Sequence, residues 1–259
     1  MVLASVAMDL HEAALLVIAG LGAGIVNAVA GGGSLITFPA LIAAGLAPVP
    51  ANVTNSIAVS PGYVASVLGS RADLPRGRVR ALVPTAAVGS IAGCALLLAT
   101  PARAFELVVP FLVLGATAVL AFQDRLRRLV GHPRDLSPRR QALALQAMVA
   151  LGSLYGGYFG AALGVMFVAV LALVLDEPLV RVTAVKNVLS AVTGVTTVVV
   201  FALFGPVDWV AVAVLAPAAM LGGYAGARLA RRLPSAVLKG VIVAFGTAVG
   251  VVLLIRAFS

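Results

Sequence analysis

Long apolar segments recur along the whole chain and constrain its fold more than any other feature. Ten can be delimited, at residues 13–30, 34–47, 52–69, 81–99, 104–122, 142–161, 163–176, 183–204, 209–227 and 239–256. Most reach the length of about 17 residues or more that a helix needs to cross a bilayer. Only 10% of the residues are charged, against about 25% in a soluble domain. The sequence therefore predicts an all-α polytopic membrane protein, located in the cell (inner or plasma) membrane.

The chain has a net charge of +9. The positions of its basic residues indicate membrane orientation and not nucleic-acid binding. All but three of the 18 Lys and Arg residues fall at 71–80, 123–141, 176–181 and 228–239, between apolar segments. Because positive charges collect on the cytoplasmic side of a membrane protein, these four segments are predicted to share that face. The single cysteine, Cys94, excludes an intrachain disulfide and a cysteine-based metal site. No metal or other cofactor is expected.

Residues 27–34 read NAVAGGGS and interrupt the first apolar run. Each glycine costs a helix about 1 kcal/mol relative to alanine, and non-helical backbone inside a membrane is tolerated only against protein or a water-filled cavity. Gly31, Gly32 and Gly33 are therefore predicted to break a helix at a transporter binding site. The alternative is a tight turn between two helices. The short segments 34–47 and 163–176 are either halves of hairpins or re-entrant elements.

The two halves of the chain repeat one pattern. Residues of the same type coincide at an offset of 132 or 133: Gly20 with Gly152, Gly24 with Gly156, Asn55 with Asn187, Pro84 with Pro217 and Gly89 with Gly222. If every segment crosses the membrane, or if the short segments pair as hairpins with their predecessors, all four basic segments share one face and the second half is inverted. Re-entrant short segments would make the repeats parallel and divide the basic segments between two faces.

The charge pattern favours two inverted-topology repeats of about five helical segments each, with a Gly-broken first helix or hairpin in each. The predicted boundaries are 1–122 for the first repeat, 123–141 for a basic cytoplasmic linker and 142–259 for the second repeat, within a single membrane domain.

The run GLGAGIVNAVAGGGSLITFPALIAAGLAPVPANVTNSIAV resembles the first repeat of the sulfite exporter TauE/SafE family. It has a Gly-rich break, a proline a few residues on, and Thr-Asn near the start of the next helix. AVKNVLSAVTG and GGYAGARLARRLP resemble the second repeat, so the resemblance covers nearly the whole chain. It implies a membrane transporter without naming one substrate. The second half reads FGAALGVMFVAVLAL where relatives often have proline, which predicts a milder second break.

Candidate substrate contacts surround the first break and the starts of two helices. Lys186 is an ionisable residue inside an apolar segment, which is costly and commonly functional, and a helix N-terminus attracts anions. With amides and hydroxyls but no carboxylate nearby, the set suits a small oxyanion. The predicted substrate-binding residues are Asn27, Gly31, Gly32, Gly33, Ser34, Thr54, Asn55, Ser56, Lys186, Asn187 and Ser190. Two alternatives stay open: Lys186 snorkels to the interface, and Asn55 and Asn187 only join helices.

No Asp, Glu or His lies in the middle of an apolar segment. The sequence therefore displays neither a proton-coupling group nor the catalytic cluster of a membrane enzyme acting on lipid phosphates. Anion export from a negative interior gains about 2.3 kcal/mol per charge per 100 mV. We predict a secondary transporter, not an enzyme, that exports sulfur-containing oxyanions or organosulfonates by alternating access. An uptake permease for another organic anion and a transport-inactive assembly subunit are the alternatives. The expected partners are the anion and the lipid bilayer, with a homodimer left open.

Overall fold

The fold is all-helical wherever it is described. The structure is a computed structural model that describes residues 8–29, 32–129, 137–175, 177–229 and 235–258. Within these ranges it has ten α-helices: α1 Leu10–Val29, α2 Ser34–Ala43, α3 Pro48–Ser70, α4 Arg76–Ala99, α5 Ala102–Leu129, α6 Pro138–Tyr158, α7 Leu163–Val174, α8 Leu179–Phe204, α9 Trp209–Leu229 and α10 Ser235–Phe258. A short 3-10 turn spans Arg71–Asp73. The prediction of an all-α protein with ten helical segments is confirmed.

Several helices are suited to cross a membrane. Among the described residues, four stretches are long and apolar enough: Leu10–Asn27, Arg76–Ala99, Ala102–Phe122 and Val180–Phe204. Shorter apolar helices occupy Ser34–Ala43, Trp209–Ala225 and Ile242–Phe258. Large apolar side chains such as Ile18, Val88 and Phe111 are exposed on the outside of the helices. A lipid environment accommodates this exposure, as the predicted membrane location requires.

Helices from the first half of the chain pack mainly against helices from the second half. α1 packs along α9, α4 along α6, α3 along α8 and α5 along α10. α3 and α8 are antiparallel, because Ser60 near the middle of α3 contacts Gly194, whereas Ser66 near its end contacts Asn187. This central pair is flanked by α4 on one side and α9 on the other.

Glycines allow the outer pairs to approach closely. A Cβ atom on Gly24 of α1 would overlap the backbone of Ala219 and Gly223 in α9. A Cβ on Gly93 of α4 would likewise overlap the backbone of Leu154 in α6. Small residues at such positions let membrane helices gain van der Waals contact that larger side chains would prevent.

Non-helical residues precede both short helices, at 32 and 33 before α2 and at 159–162 before α7. α1 ends at residue 29 and α2 begins at 34, while α6 ends at 158 and α7 begins at 163. In the second break Gly160 has a φ of 70° and Ala162 a φ of 54°, both in the left-handed region. The prediction of a milder second break stays a prediction, because residues 30 and 31 of the first break lie outside the described part of the chain. Pro39, the proline of the first half, lies inside α2 and not in the break.

The second short helix folds back along its predecessor. A Cβ on Gly152 of α6 would meet Phe167 of α7, and one on Gly156 would meet Leu163. Gln141 near the start of α6 donates a hydrogen bond to the carbonyl at the end of α7. These contacts make α6 and α7 an antiparallel hairpin. Of the two options left open for segment 163–176, the observed arrangement is the hairpin.

One face of the molecule carries many of the described basic residues and is called the basic face below. Arg78 at the start of α4 pairs with Glu177 in the turn before α8, so residues 71–80 and the 177–181 region lie on this same face. α5 continues to Leu129 and α6 begins at Pro138. The helices therefore extend into the predicted linker at 123–141 from both sides, and residues 130–136 lie outside the described part of the chain.

Candidate functional site

The first break is organised by Asn27. Its Oδ1 accepts hydrogen bonds from the backbone N–H groups of Gly32 (3.1 Å) and Gly33 (2.7 Å), which have no intrahelical partner at the start of α2. Gly32 has a φ of 140°, a backbone angle that residues other than glycine rarely adopt. A Cβ on Gly33 would overlap the carbonyl of Ala23. Asn27 and these two glycines thus shape the turn from α1 into α2, and Gly31 lies outside the described residues.

A cavity lies where the two breaks meet the crossing of α3 and α8. It contains about 270 Å³ of space between its lining atoms, counting the part open to solvent. Its enclosed part has room for the centre of about one water molecule. The lining residues are Ser34, Asn55, Ser56, Val59, Ser60, Tyr63, Gly156, Phe159, Gly160, Leu163, Thr193, Gly194 and Thr197. Both halves of the chain therefore build this central cavity.

The two breaks also pack directly on one another beside the cavity. Phe38 of α2 meets Phe159 of the second break edge to face, with ring centroids 5.3 Å apart. Phe105 of α5 also contacts Phe159; the two ring centroids are 6.3 Å apart and the ring planes are inclined at 59°. All three rings are almost fully buried. This aromatic contact fixes the position of one break relative to the other.

Hydrogen-bond donors in the cavity lack protein acceptors. Thr37 donates its hydroxyl to Oδ1 of Asn55, and the amide nitrogen of Asn55 then has no partner among the described residues. The hydroxyl of Thr193 is buried and also has none in the described part of the chain. A buried hydroxyl without a partner, such as that of Thr193, costs about 1–3 kcal/mol. A ligand that accepts hydrogen bonds would satisfy both groups.

Two helix N-termini open into the cavity. Ser34 is the first residue of α2 and Leu163 is the first residue of α7, and both line it. A helix N-terminus carries roughly half a positive charge, although the N–H groups of Leu35 in α2 and of Leu163 and Val165 in α7 already donate to backbone carbonyls. The described lining includes no acidic residue, and no group of three or more His, Cys, Asp or Glu across the described ranges is placed to hold a metal. The two helix ends therefore direct partial positive charge toward the cavity.

Lys186 extends toward this cavity from α8 without lining it. Its Nζ lies 3.6 Å from the position that a Cβ would occupy on Gly164, next to cavity-lining Leu163. Gly164 is about 15 Å from the end of α7 at Val174, whereas Lys186 is about 10 Å from the start of α8 at Leu179. Because these two ends adjoin across a short turn, the side chain points inward. Snorkelling to the interface needs the opposite direction.

The antiparallel packing of α3 and α8 separates other predicted residues. Asn187 donates a hydrogen bond to the carbonyl of Ser66, near the basic face. Thr54 accepts one from the backbone N–H of Asp208, at the opposite end of α3. Asn55 and Ser66 are eleven residues apart along α3, which is roughly 16 Å. The starts of α3 and α8 consequently do not meet, and one site cannot contain both asparagines.

The predicted residues that the structure brings together in the cavity are Ser34, Asn55 and Ser56. Ser190 is buried on α8 one turn after Lys186, outside the cavity lining. Polar cavity residues that the sequence analysis did not single out are Ser60, Tyr63, Thr193 and Thr197. Their signal is a helical spacing of three or four residues, shared by Ser56, Ser60 and Tyr63 on α3. A polar stripe at this spacing marks a helix face turned away from lipid.

Comparison with known proteins identifies the family. The family described as Sulfite exporter TauE/SafE matches residues 16–253. The probable membrane transporter protein YfcA of Escherichia coli (strain K12) is 29% identical over 219 residues, covering 82% of this chain and 76% of YfcA. The probable membrane transporter protein ORF9 of Sinorhizobium sp is 27% identical over 249 residues, covering 94% of this chain and 93% of ORF9.

A similar protein of Haemophilus influenzae (strain ATCC 51907 / DSM 11121 / KW20 / Rd), also described as a probable membrane transporter protein, is 27% identical over 221 residues. The 221 aligned residues cover 83% of this chain and 84% of that protein. No solved structure matches the chain. The family match spans residues 16–253, as expected from a resemblance that covers nearly the whole chain. This multi-pass membrane protein therefore belongs to the sulfite exporter TauE/SafE family, a family of membrane transporters.

Proposed function

We propose that this protein is a secondary transporter that binds a small anion in the central cavity and moves it by alternating access. The observation that carries the proposal is the convergence of two helix N-termini, α2 and α7, on one cavity. Discontinuous helices in transporters direct their positive ends at anionic substrate groups in this way. The unpartnered Asn55 amide and Thr193 hydroxyl supply donors, and the described lining supplies no carboxylate to repel the anion.

The substrate class we propose is a sulfur-containing oxyanion or a small organosulfonate. An oxyanion has several acceptor oxygens, which matches the two cavity donors without a described acceptor, the Asn55 amide and the Thr193 hydroxyl. Val59, Phe159 and Leu163 form an apolar part of the same wall, which accommodates a short apolar group beside the charged one. The family's description as a sulfite exporter supports the same class. Export across an inner or plasma membrane then runs downhill on a negative interior potential.

We propose further that the chain consists of two inverted repeats, α1–α5 and α6–α10. The helix contacts support this arrangement, because most contacting pairs of helices remain in contact when each helix is exchanged with its counterpart. The pair α1 and α9 becomes α6 and α4, and the pair α2 and α10 becomes α7 and α5; all four pairs are in contact. The antiparallel crossing of α3 and α8 at the cavity is what an inverted pair requires.

Flux measured with the purified full-length protein in liposomes tests the proposal. The interior is loaded in turn with sulfite, sulfoacetate, thiosulfate, sulfate and acetate, and efflux is followed with and without an imposed potential. Potential-driven efflux of at least one sulfur-containing anion is the expected result. Empty liposomes give the background, and equal background rates for every anion would mean that the proposed function is wrong.

An Asn55→Ala variant locates the site. Removing one donor to a charged ligand costs about 1.5–3 kcal/mol, so the ratio kcat/KM should fall about tenfold or more. Thr100→Ala is the matched control, since its hydroxyl bonds the carbonyl of Leu96 at the far end of α4 and lies outside the cavity. Equal flux in the two variants would place the substrate elsewhere.

A further inference from the structure

Lys186 carries a positive charge that no described protein group balances. Its Nζ approaches Gly164, the second residue of the 12-residue helix α7, and therefore faces the positive end of that helix dipole. The ion pairs among the described residues join Arg78 to Glu177 and Arg103 to Glu106. Two positive groups thus face each other inside a membrane-spanning region. This arrangement is unfavourable without an anion between them.

Ser190 provides an independent sign of a missing partner. It is 1% exposed, and its hydroxyl bonds to nothing in the described part of the chain. Buried serines in membrane helices usually donate to the carbonyl four residues earlier, as Ser56, Ser60 and Ser90 do here. Ser190 does not use the corresponding carbonyl of Lys186. Its hydroxyl is therefore available to a ligand.

The geometry brings these groups to one place. Ser190 follows Lys186 by four residues, so the two side chains lie on the same face of α8, and the serine leans toward the turn that contains the lysine. Thr193 and Thr197 continue this face into the cavity lining. Gly164 has no side chain on the facing turn of α7, so the Lys186 side chain packs directly against the backbone there, with Cδ 3.5 Å and Nζ 3.6 Å from the position of a Cβ on that glycine.

We infer that Lys186, Ser190 and the first turn of α7 bind a small oxyanion at an outer site on the basic-face side of the central cavity. This inference rests on the proposed anion transport and deepens it. The ammonium and hydroxyl donate to the oxyanion's oxygens, while the helix N-terminus adds favourable charge. An anion from the basic face is held here first and then passes along the hydroxyl face of α8 into the cavity.

Equilibrium binding to the purified full-length protein tests the outer site. The probe is sulfite, or whichever anion of the flux panel gives the largest wild-type efflux. Lys186→Met should weaken binding about tenfold or more and flatten its dependence on salt concentration. Arg181→Met is the matched control, because it removes an exposed positive charge near the start of the same helix. It should leave binding within about twofold of wild type.

Two further measurements separate a binding role from a structural one. Lys186→Met removes an unbalanced charge, so without anion its melting temperature should equal or exceed that of wild type. Gly164→Val retains the lysine but displaces its side chain from the first turn of α7, because Lys186 occupies the space that the new side chain takes, and it should weaken binding as well. In oriented liposomes, Lys186→Met should raise KM for anion supplied at the basic face more than for anion supplied at the opposite face.

The outcomes distinguish the outer site from the proposed function. Wild-type flux together with unchanged binding in Lys186→Met and Gly164→Val overturns the outer site and leaves the transporter intact. Weakened binding with equal changes of KM at both faces overturns its placement on the basic-face side. Absence of flux and binding for every anion in the wild-type protein overturns both.

Discussion

At the scale of single residues, the orientation of one amide decides what the cavity offers a ligand. Asn55 can present either an acceptor oxygen or a donor nitrogen, and an anion tolerates only the donor. In the structure the hydroxyl of Thr37, which also lies 3.3 Å from the carbonyl of Gly33, donates to Oδ1 of Asn55 and leaves the amide nitrogen for a ligand. Thr37 is fully buried and is absent from the cavity lining. In the proposed site it acts on the anion through Asn55, as a positioning residue.

Replacing Thr37 by valine should release this amide while keeping the packing volume. The loss of one hydrogen bond, worth about 1 kcal/mol net, should raise KM for the transported anion about fivefold with a smaller effect on kcat. Thr37→Ser retains the hydroxyl and should recover most of the wild-type KM. The measurement is initial efflux rate against internal anion concentration. Identical KM values in the valine and serine variants would contradict a role for the hydroxyl.

The sequence predicted part of the site at this scale and missed the rest for a physical reason. Ser34, Asn55 and Ser56 were accessible because they adjoin the glycine break or the Thr-Asn motif. Tyr63 and Thr193 join the cavity only because α3 and α8 cross there. The choice of neighbouring helices has little local signal in a membrane, where apolar side chains suit lipid and protein alike.

At the scale of the helices, the hydropathy pattern located each element and even its approximate ends. α8 ends at Phe204 and α9 begins at Trp209, as the apolar segments predicted. Non-helical turns lie where the chain leaves the hydrocarbon core, and these turns contain polar residues or glycine. The second break forms without a proline. There the left-handed φ of Gly160 and Ala162 reverses the chain.

Close packing of α1 against α9 gives a prediction with a control on the same helix. Gly24→Ala would place a methyl group into the backbone of Ala219, whereas a Cβ on Gly22 meets nothing within 4 Å. Overpacking costs typically about 1–3 kcal/mol, so Gly24→Ala should lower the melting temperature. Gly22→Ala should hold or raise it, through the roughly 1 kcal/mol gain in helix propensity.

Thermal unfolding of both variants in one detergent gives the comparison. If the melting temperature of Gly24→Ala equals or exceeds that of Gly22→Ala, the α1–α9 contact is not as close as the structure has it. Because the substitutions lie two residues apart in one helix, a general effect of alanine on α1 or on detergent binding would move both melting temperatures together.

At the scale of the whole molecule, α3 makes a polar contact at each end of its crossing with α8. One contact is with α8 itself, and the other is with the connection between α8 and α9. Toward the basic face, Asn187 donates to the hydroxyl of Ser70 at 3.0 Å. Toward the opposite face, Thr54 accepts from the backbone N–H of Asp208 at 3.0 Å. The cavity between them has little enclosed space. Alternating access requires that one end opens while the other stays closed, so each end contact must break once in every cycle.

Fixing the contact at the basic face should therefore stop transport. In the double variant Ser70→Cys, Asn187→Cys, a short bis-methanethiosulfonate reagent should reduce anion flux about tenfold or more, since the opening it prevents is required in every cycle. Cleavage by a reductant should restore the rate. The single variants and wild type, treated alike, control for reaction at buried Cys94. Full flux through the cross-linked protein would mean that the crossing stays rigid and that anions take another path.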